Sequence, residues 1–487
     1  MTEEFSKKDL TKKSENFSNW YIDVILKTKL ADYGPARGSM IIRPYGYALW
    51  ERVQNYFNAI IKADGVENAY FPLLIPIKLL QKEKDHIKGF SPELAVVTMG
   101  GGEELEEPLA IRPTSETIIY SMFAKWVSSW RDLPVKINQW CNVVRWEKRT
   151  LPFIRTTEFL WQEGHTLHAT YEEAKDMSLK ALHWYKNLYK DMYALPVLIG
   201  LKSESEKFAG AKHTYTVEAL VSDGKMIQGA TSHVLSDHFA KSFDISYQDK
   251  NGETAVPTPT SWGLSTRSLG TAIMVHGDDN GLVLPPSIAP KKVVIVPVFG
   301  KKDSEVINFC FKVKEIIDEC KSEYSGSVEV WGSKEHSFGW KANEAELIGV
   351  PLSIPIGPKE MGGEVPINIS YRLGELKNVK VENIDNLGQV VEEMLNNMQD
   401  VLYKRASEFL NKNTFSVDSY KEFKDIMNTT KGLIKAFWCE NPECETKIKQ
   451  ETKATTRLLP LDAKEENGKC VYCGELAKHR WYFAQAY

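Results

Sequence analysis

The chain has 487 residues, 43% hydrophobic and 26% charged, a make-up that excludes a disordered or low-complexity protein and suits roughly two to four domains. Its formal net charge of -4 excludes the strongly basic profile of a nonspecific nucleic-acid coat, though a local basic patch stays open. No apolar run reaches the length of a membrane span, and the first twenty residues lack the apolar core of a signal peptide, so a cytoplasmic location is expected.

Pro44 to Lys62 carries apolar or aromatic residues at 45, 49, 53, 56, 57 and 60, between a leading proline and Asp64-Gly65. This predicts an amphipathic helix. The prolines of "AYFPLLIP" (Ala69 to Pro76) suit a strand at a sheet edge. A helix begins near Ser115, and "KINQWCNVVRWE" and "FLWQEGHTLH" then read as successive strands. A long charged helix spans Tyr171 to Tyr193. Strand-like runs recur at 215–221, 243–248 and 261–265, giving one large α+β domain with non-local pairing.

The prolines of Leu284 to Lys292 suggest an interdomain linker. Beyond it, "VVIVPV", a helix at 303–321, "SVEVW", a helix at 341–349 and "VPLSIPIG" alternate as in a small α/β domain with a partly parallel sheet. Helices at 393–411 and 418–431 precede a cysteine cluster. The expected domains are therefore 1–286, 287–395 and 396–487.

The cysteines Cys439, Cys444, Cys470 and Cys473 are spaced C-x4-C, then 25 residues, then C-x2-C. Two such loops can present four thiolates to one tetrahedral ion, and structural Zn2+ is the expected occupant. Cys310 and Cys320 fall in a helix and read as packing or surface residues.

Arginines form a second constellation. Arg145 and Glu147 alternate on one strand face, Arg155 and Thr156 sit in "FIRTTEF", and Arg267 opens an apolar helix in "SWGLSTRSLGTAIM". Fixed guanidinium forks among aromatics suit a polyanion such as a nucleoside triphosphate, although each arginine taken singly reads as a surface ion pair. In "RPTSET" a helix cap by Thr114 or Ser115, with Glu116 near the positive helix end, is the simplest reading, and "QGATSH" (Gln228 to His233) reads as a polar turn. A phosphate-binding G-x-x-x-x-G-K-[ST] loop is absent, and the glycines at 100–102 lie in an acidic loop without a lysine.

In "FLWQEGHTLH", strand parity puts Phe159, Trp161, Glu163 and His165 on one face and Leu160 and Gln162 on the other. A metal site using Glu163, His165 and His168 and a pocket for a small cationic molecule both fit this composition. His165 and His168 are three apart and point to opposite faces, which weakens the metal reading.

These motifs together resemble the class II aminoacyl-tRNA synthetases, and within them the prolyl-tRNA synthetases of the archaeal and eukaryotic-like type. Gly38 to Pro76 looks like the first class motif, "NVVRWEKRTLPFIRTTEF" like the second and "SWGLSTRSLG" like the third, in company with "RPTSE", "WQEGHT", "KFAGA", "ATSH" and the cysteine module. The resemblance runs from about Phe17 to Tyr487 and implies a catalytic domain on an antiparallel sheet, an α/β anticodon-binding domain and a small zinc-binding domain. The implied reaction is proline activation by ATP with Mg2+, then transfer to tRNA(Pro), by a homodimer built on the first motif and without membrane attachment.

Carried over by position, Thr114, Glu116, Arg145 and His233 contact proline, and Trp161, Glu163, His165 and Phe208 wall its pocket. Arg145, Glu147, Arg155, Thr156, Phe159, Gln228, Thr231, Ser265 and Arg267 bind ATP, with adenine on Phe159; Arg145 and Arg267 are the catalytic pair. Both reaction steps move negative charge between oxygens, so positioning and electrostatic stabilisation suffice without a dedicated base. The span from Glu163 to Trp262 is filled by pocket strands and a helix, so no editing insertion is expected. A synthetase-like RNA-binding protein that no longer charges tRNA is the alternative, and the arginine set argues against it.

Overall fold

Alternation of aromatic and polar residues drives Val135–Val144 and Glu158–His168 into a long antiparallel pair near one end of an eleven-stranded sheet. The computed structural model describes residues 10–82, 94–320 and 326–487. The first nine residues of the expected first domain, and residue 321 of the expected 303–321 helix, lie outside the described residues. Thr258–Ser265 pairs with Glu158–His168 on its other side, followed by the hairpin Met226–Leu235 and Ala211–Leu220, then Leu198–Leu201. "QGATSH" is thus the middle of a strand and not a turn.

One face of this sheet is covered by two helices. Pro44–Ala63 and Tyr171–Asp191 bury Trp50, Phe57, Tyr185 and Tyr189 against Trp140 and Trp262, with Phe57 stacked on Tyr185 at 5.1 Å. Gly164 and Gly229 permit this approach, since a Cβ at Gly164 would meet the Trp262 ring at 2.2 Å and one at Gly229 the Tyr189 hydroxyl at 2.3 Å. Gln162, on the same face, accepts a hydrogen bond from Tyr185 Oη at 2.7 Å. The opposite face is left open as a cleft.

Several local expectations are corrected. In "AYFPLLIP" only Leu74–Pro76 pairs, and Tyr70 is 72% exposed. The run 243–248 contributes only Tyr247–Gln248, because the helix Asp237–Ser242 ends there and Asp244 takes a φ of 58°. The strand through "KINQWCNVVRWE" stops at Val144, so Arg145 and Glu147 lie in the following loop, with Arg145 N–H donating to Thr157 O at 2.8 Å as a last rung. The glycines at 100–102 make the tip of a hairpin between Ala95–Gly100 and Glu103–Ile111, where Gly101 and Gly102 both have positive φ. The expected linker 284–292 is largely buried, with Leu284, Ile288 and Ala289 packed into the core of the first domain.

The middle domain is a five-stranded sheet in which Val293–Pro297 pairs in parallel with Val328–Val330 and Leu352–Ile356, and Ile367–Tyr371 and Val379–Val381 complete an antiparallel edge. Helices Asp303–Glu319 and Phe338–Leu347 flank it. Arg372 joins it to the first domain through two hydrogen bonds, 2.6 and 2.9 Å, to the Asp278 carboxylate. The helix Leu387–Lys412 runs without a break through residue 395 into the C-terminal region.

That C-terminal region does not stand apart. Its strands Thr414–Ser416, Leu433–Trp438, His479–Ala484 and Thr455–Pro460 extend the catalytic sheet, joined where Leu459 and Pro460 pair with Leu201 and Gly200. The last residue is tied as well: Tyr487 N–H donates to Met226 O at 3.2 Å and its hydroxyl to Asp223 at 2.8 Å. No helix among the described residues is long and apolar enough to cross a membrane.

Candidate functional site

The open face of the sheet carries a half-open cleft of about 230 Å³. Sheet register builds its floor in rows across the strands. Gln139, Glu163, Gly263 and Thr231 stand side by side in one row, and Ile137, His165, Ser261, His233 and Thr214 in the next. Parity had placed Phe159, Trp161, Glu163 and His165 on one face, and all four line this cleft.

Thr114, Glu116, Arg145, Phe208, Gln228, Thr231, His233, Ser265 and Arg267 line it too. Glu147, Arg155 and Thr156 do not: they sit in the adjoining loop, where Arg155 Nε lies 3.5 Å from Glu147 and Thr156 Oγ1 donates to Glu158 O. His168 is on the helix-covered side, hydrogen-bonded to Thr166 at 2.7 Å, which removes it from any metal site with His165.

One end of the cleft is organised by Glu163, only 2% exposed. Its carboxylate accepts from Ser115 Oγ, from Gln139 Nε2 at 2.8 Å and from Cys141 Sγ at 3.3 Å, and His165 Nε2 stands 3.1 Å away. A buried acid needs such donors to offset its lost hydration. The cap expected at Ser115 is therefore absent: Ser115 flanks the helix Glu116–Trp126 but turns its hydroxyl to Glu163, and Thr114 Oγ1 donates to Glu116. The hydroxyls hold the two pocket acids in place and leave the helix amides to other partners.

His233 faces Glu116 across the same end. Burial holds its pKa down at about 4, so the ring is neutral at pH 7. Thr214 Oγ1 accepts the Phe208 N–H at 2.9 Å and is hydrogen-bonded to His233 Nδ1 at 3.0 Å. Phe208 stacks on this ring at 4.6 Å.

The other end is cationic. Arg145 Nε donates to Pro113 O at 3.1 Å, and its guanidinium lies 5.4 Å from the Phe159 ring and 5.6 Å from that of Trp161. Arg267 Nε donates to Ile154 O at 2.8 Å. Burial, then the charges of Arg145 and Arg155, lower the Arg267 pKa to about 10. A cation buried beside two others, at the positive end of its own helix, is unfavourable on each count and is organised for an anion.

Residues not foreseen include Gln139, Cys141, Ser115 and Tyr120 around the Glu163–His165 pair, and Glu206, Thr214 and Ser261 on the lining. Gln139 and Cys141 share strand parity with Arg145, so the reasoning applied to "FLWQEGHTLH" would have found them. Glu206 and Thr214 carry no such local signal.

A second centre lies in the C-terminal region. The sulfurs of Cys439, Cys444, Cys470 and Cys473 all fall within 4.8 Å of one another, and Cys439 Sγ is 3.7 Å from both Cys444 Sγ and Cys473 Sγ. Tetrahedral bonds of about 2.3 Å would put sulfurs roughly 3.8 Å apart, so the four thiols fit Zn2+ and leave no open position.

Three family patterns match in order: tRNA synthetase class II core domain (G, H, P, S and T) over residues 97–276, anticodon binding domain over 292–392, and prolyl-tRNA synthetase, C-terminal, over 420–487. The chain is 49% identical over 479 residues to the proline–tRNA ligase of Alkaliphilus oremlandii, covering 98% of each. It is 48% identical over 487 residues to that of Natranaerobius thermophilus, covering 100% of this chain and 99% of the relative, and 48% over 480 residues to that of Acetoanaerobium sticklandii. A class II core, an anticodon-binding domain and the C-terminal domain follow one another along a sequence nearly half identical to these relatives from end to end, and the chain belongs to the prolyl-tRNA synthetases.

Proposed function

We propose that this cleft activates L-proline with ATP to prolyl-adenylate and pyrophosphate, and then passes the prolyl group to the 3′ end of tRNA(Pro). The observation that carries the reading is a single cleft with a pocket of buried acids and a neutral histidine at one end and crowded guanidinium groups at the other. Proline needs the first, and the phosphates of ATP need the second.

Thr114, Glu116 and His233 are assigned to proline's polar groups, with Trp161, Phe208 and the Glu163–His165 pair as walls. Arg145, at the junction, takes the carboxylate and the α-phosphate, aligning nucleophile and electrophile and stabilising charge in the transition state. Phe159 stacks adenine, and Gln228, Thr231 and Ser265 border the nucleotide. Arg267 and, from the loop, Arg155 take the outer phosphates, with Glu147 and Thr156 supporting that loop. Mg2+ supplies charge neutralisation there; it takes most ligands from phosphates and water, and Glu147 fits the one or two carboxylates it needs from the protein.

The middle domain supports tRNA recognition. Beyond the ends of its parallel strands, Lys334 and Lys341 lie 5.4 and 4.9 Å from the Phe299 ring, His336 stacks on Trp340 at 3.6 Å and Phe338 is exposed. Bases stack on such surfaces; Lys334, 2.8 Å from Asp303, is the exposed cation there, while Lys341 is buried and donates to the Trp331 and Ser333 carbonyls. Exposed Tyr33, Ile41 and Tyr47 near the first class motif suit a homodimer interface, and Zn2+ on the four cysteines suits a structural role.

Within its family the chain is assigned to the archaeal and eukaryotic-like type, active in the cytoplasm. The stretch between the second and third motifs is taken up by the helix Tyr171–Asp191 and the cleft hairpin, which supports a lack of hydrolytic editing in cis. Alanine loses only roughly 1–3 kcal/mol per missing methylene, so mischarging is expected. ATP–pyrophosphate exchange measured across the amino acids tests the activity: proline should dominate, and exchange with none of them would overturn it. Rapid deacylation of alanyl-tRNA by the purified protein would overturn the assignment without editing.

A further inference from the structure

The loop 202–210, mostly polar in sequence, brings Glu206 and Phe208 to the cleft. What fixes it comes from the C-terminal domain. The helix Pro442–Thr452 presents Glu445 and Lys449, one turn apart on the same face, to this loop. The Glu445 carboxylate, 5% exposed, accepts from Ser203 Oγ at 3.2 Å and from the hydroxyls of Ser205 and Thr456. Lys449 Nζ lies 3.9 Å from Glu206.

The loop's first residue is welded to the same domain. Glu218, fully buried, pairs with Lys202 at 3.0 Å and with Arg457 at 2.7 Å. The turn then closes through Ser203, whose carbonyl accepts from the amides of Glu206 and Lys207, and delivers Phe208 to its stack on His233. Packing alone would not require an acid at 445. Burying a carboxylate that no cation pairs with among the described residues is costly, and two of its three hydroxyl donors, Ser203 and Ser205, offset that cost only when the loop holds this geometry.

We propose that Glu445 is a positioning residue for the amino-acid pocket: from the C-terminal domain it clamps the loop 202–210 so that Phe208 stays against His233. The proposal rests on the assignment of this end of the cleft to proline. Its consequence is that the C-terminal domain sets proline affinity without touching proline.

The test is steady-state ATP–pyrophosphate exchange on the full chain with Glu445→Ala, Glu445→Gln and Ser205→Ala, with Phe208→Ala as the reference for the pocket, alongside hydrogen exchange of the loop amides. Glu445→Ala should raise the KM for proline roughly tenfold, with the KM for ATP and kcat within about threefold, and should speed amide exchange in 203–208. Glu445→Gln keeps an oxygen for the serine hydroxyls and should restore the proline KM to within about threefold of the parent. Ser205 is exposed, so Ser205→Ala folds whatever Glu445→Ala does and should raise the same KM about threefold. An unchanged proline KM in Glu445→Ala and Ser205→Ala, with a raised one in Phe208→Ala, would leave the pocket standing and overturn the clamp. A fall in kcat and stability alone would mark Glu445 as structural and overturn it equally. An unchanged KM in Phe208→Ala would remove the pocket assignment and the proposal with it.

Discussion

Replacing Arg267 by methionine removes a charge while keeping an unbranched side chain of similar reach, and its two effects should have opposite signs. Burial and the neighbouring charges of Arg145 and Arg155 hold the Arg267 guanidinium at about 10. At 1.36 kcal/mol per pH unit this is roughly 3 kcal/mol against the charged form. Arginine is protonated at pH 7 in both the folded and unfolded chain, so the whole penalty stands there and recedes only above about pH 10. Methionine also forfeits the hydrogen bonds to Ile154 O and, at 3.4 Å, to Gln228 O, together worth roughly 2–3 kcal/mol. The empty Arg267→Met protein should therefore be no less stable than the parent, with a margin of about 0–1 kcal/mol. Saturating ATP with Mg2+ should reverse the order, since a ligand at about 100 times its Kd stabilises the parent by roughly 2.7 kcal/mol and the variant binds poorly. Exchange should fall at least about a hundredfold, the usual cost of one oriented transition-state donor. Thermal unfolding with and without nucleotide, paired with the exchange assay, decides the matter. A variant that is less stable when empty and still exchanges at the parental rate would refute the reasoning.

Arg145→Ala should lose proline-dependent exchange by about a hundredfold or more while the chain stays folded by circular dichroism; normal exchange would remove it from the chemistry. His168, His233 and His276 are all buried, with pKa values lowered to about 4, 4 and 3, so they fold neutral. As pH falls below about 6.5 the unfolded chain takes up protons that the folded one refuses, and stability should decline progressively down to about pH 4. Denaturant midpoints across that range should show it, and His168→Asn should flatten the slope. If the four cysteines hold Zn2+ as proposed, the purified protein should carry about one zinc by atomic absorption, and chelation or Cys470→Ser should release it and expose the C-terminal domain to proteolysis before the middle domain.

Much of the site was legible because strands have period two. Phe159, Trp161, Glu163 and His165 could be assigned to one face, and His168 to the other, from spacing alone. The helices Pro44–Ala63 and Tyr171–Asp191 were equally clear, being long and strongly periodic. Errors gathered where a polar residue had two partners to choose between. Ser115 reads as a cap only until Glu163, 48 residues on, is brought beside it. "QGATSH" reads as a turn because its small polar residues face a cleft instead of apolar packing. The prolines of 284–292 mimic an exposed linker, since composition does not report which neighbours will bury a segment.

By itself, the sequence determined the kinds of element, the set of guanidinium and carboxyl groups, and the four-thiol module, because each is written in local spacing. Only the tertiary structure decided that the C-terminal domain shares a sheet with the catalytic domain across Leu459 and Leu201, and that Glu445 reaches Ser203 and Ser205. Contacts between residues more than two hundred positions apart leave no periodic trace in either segment.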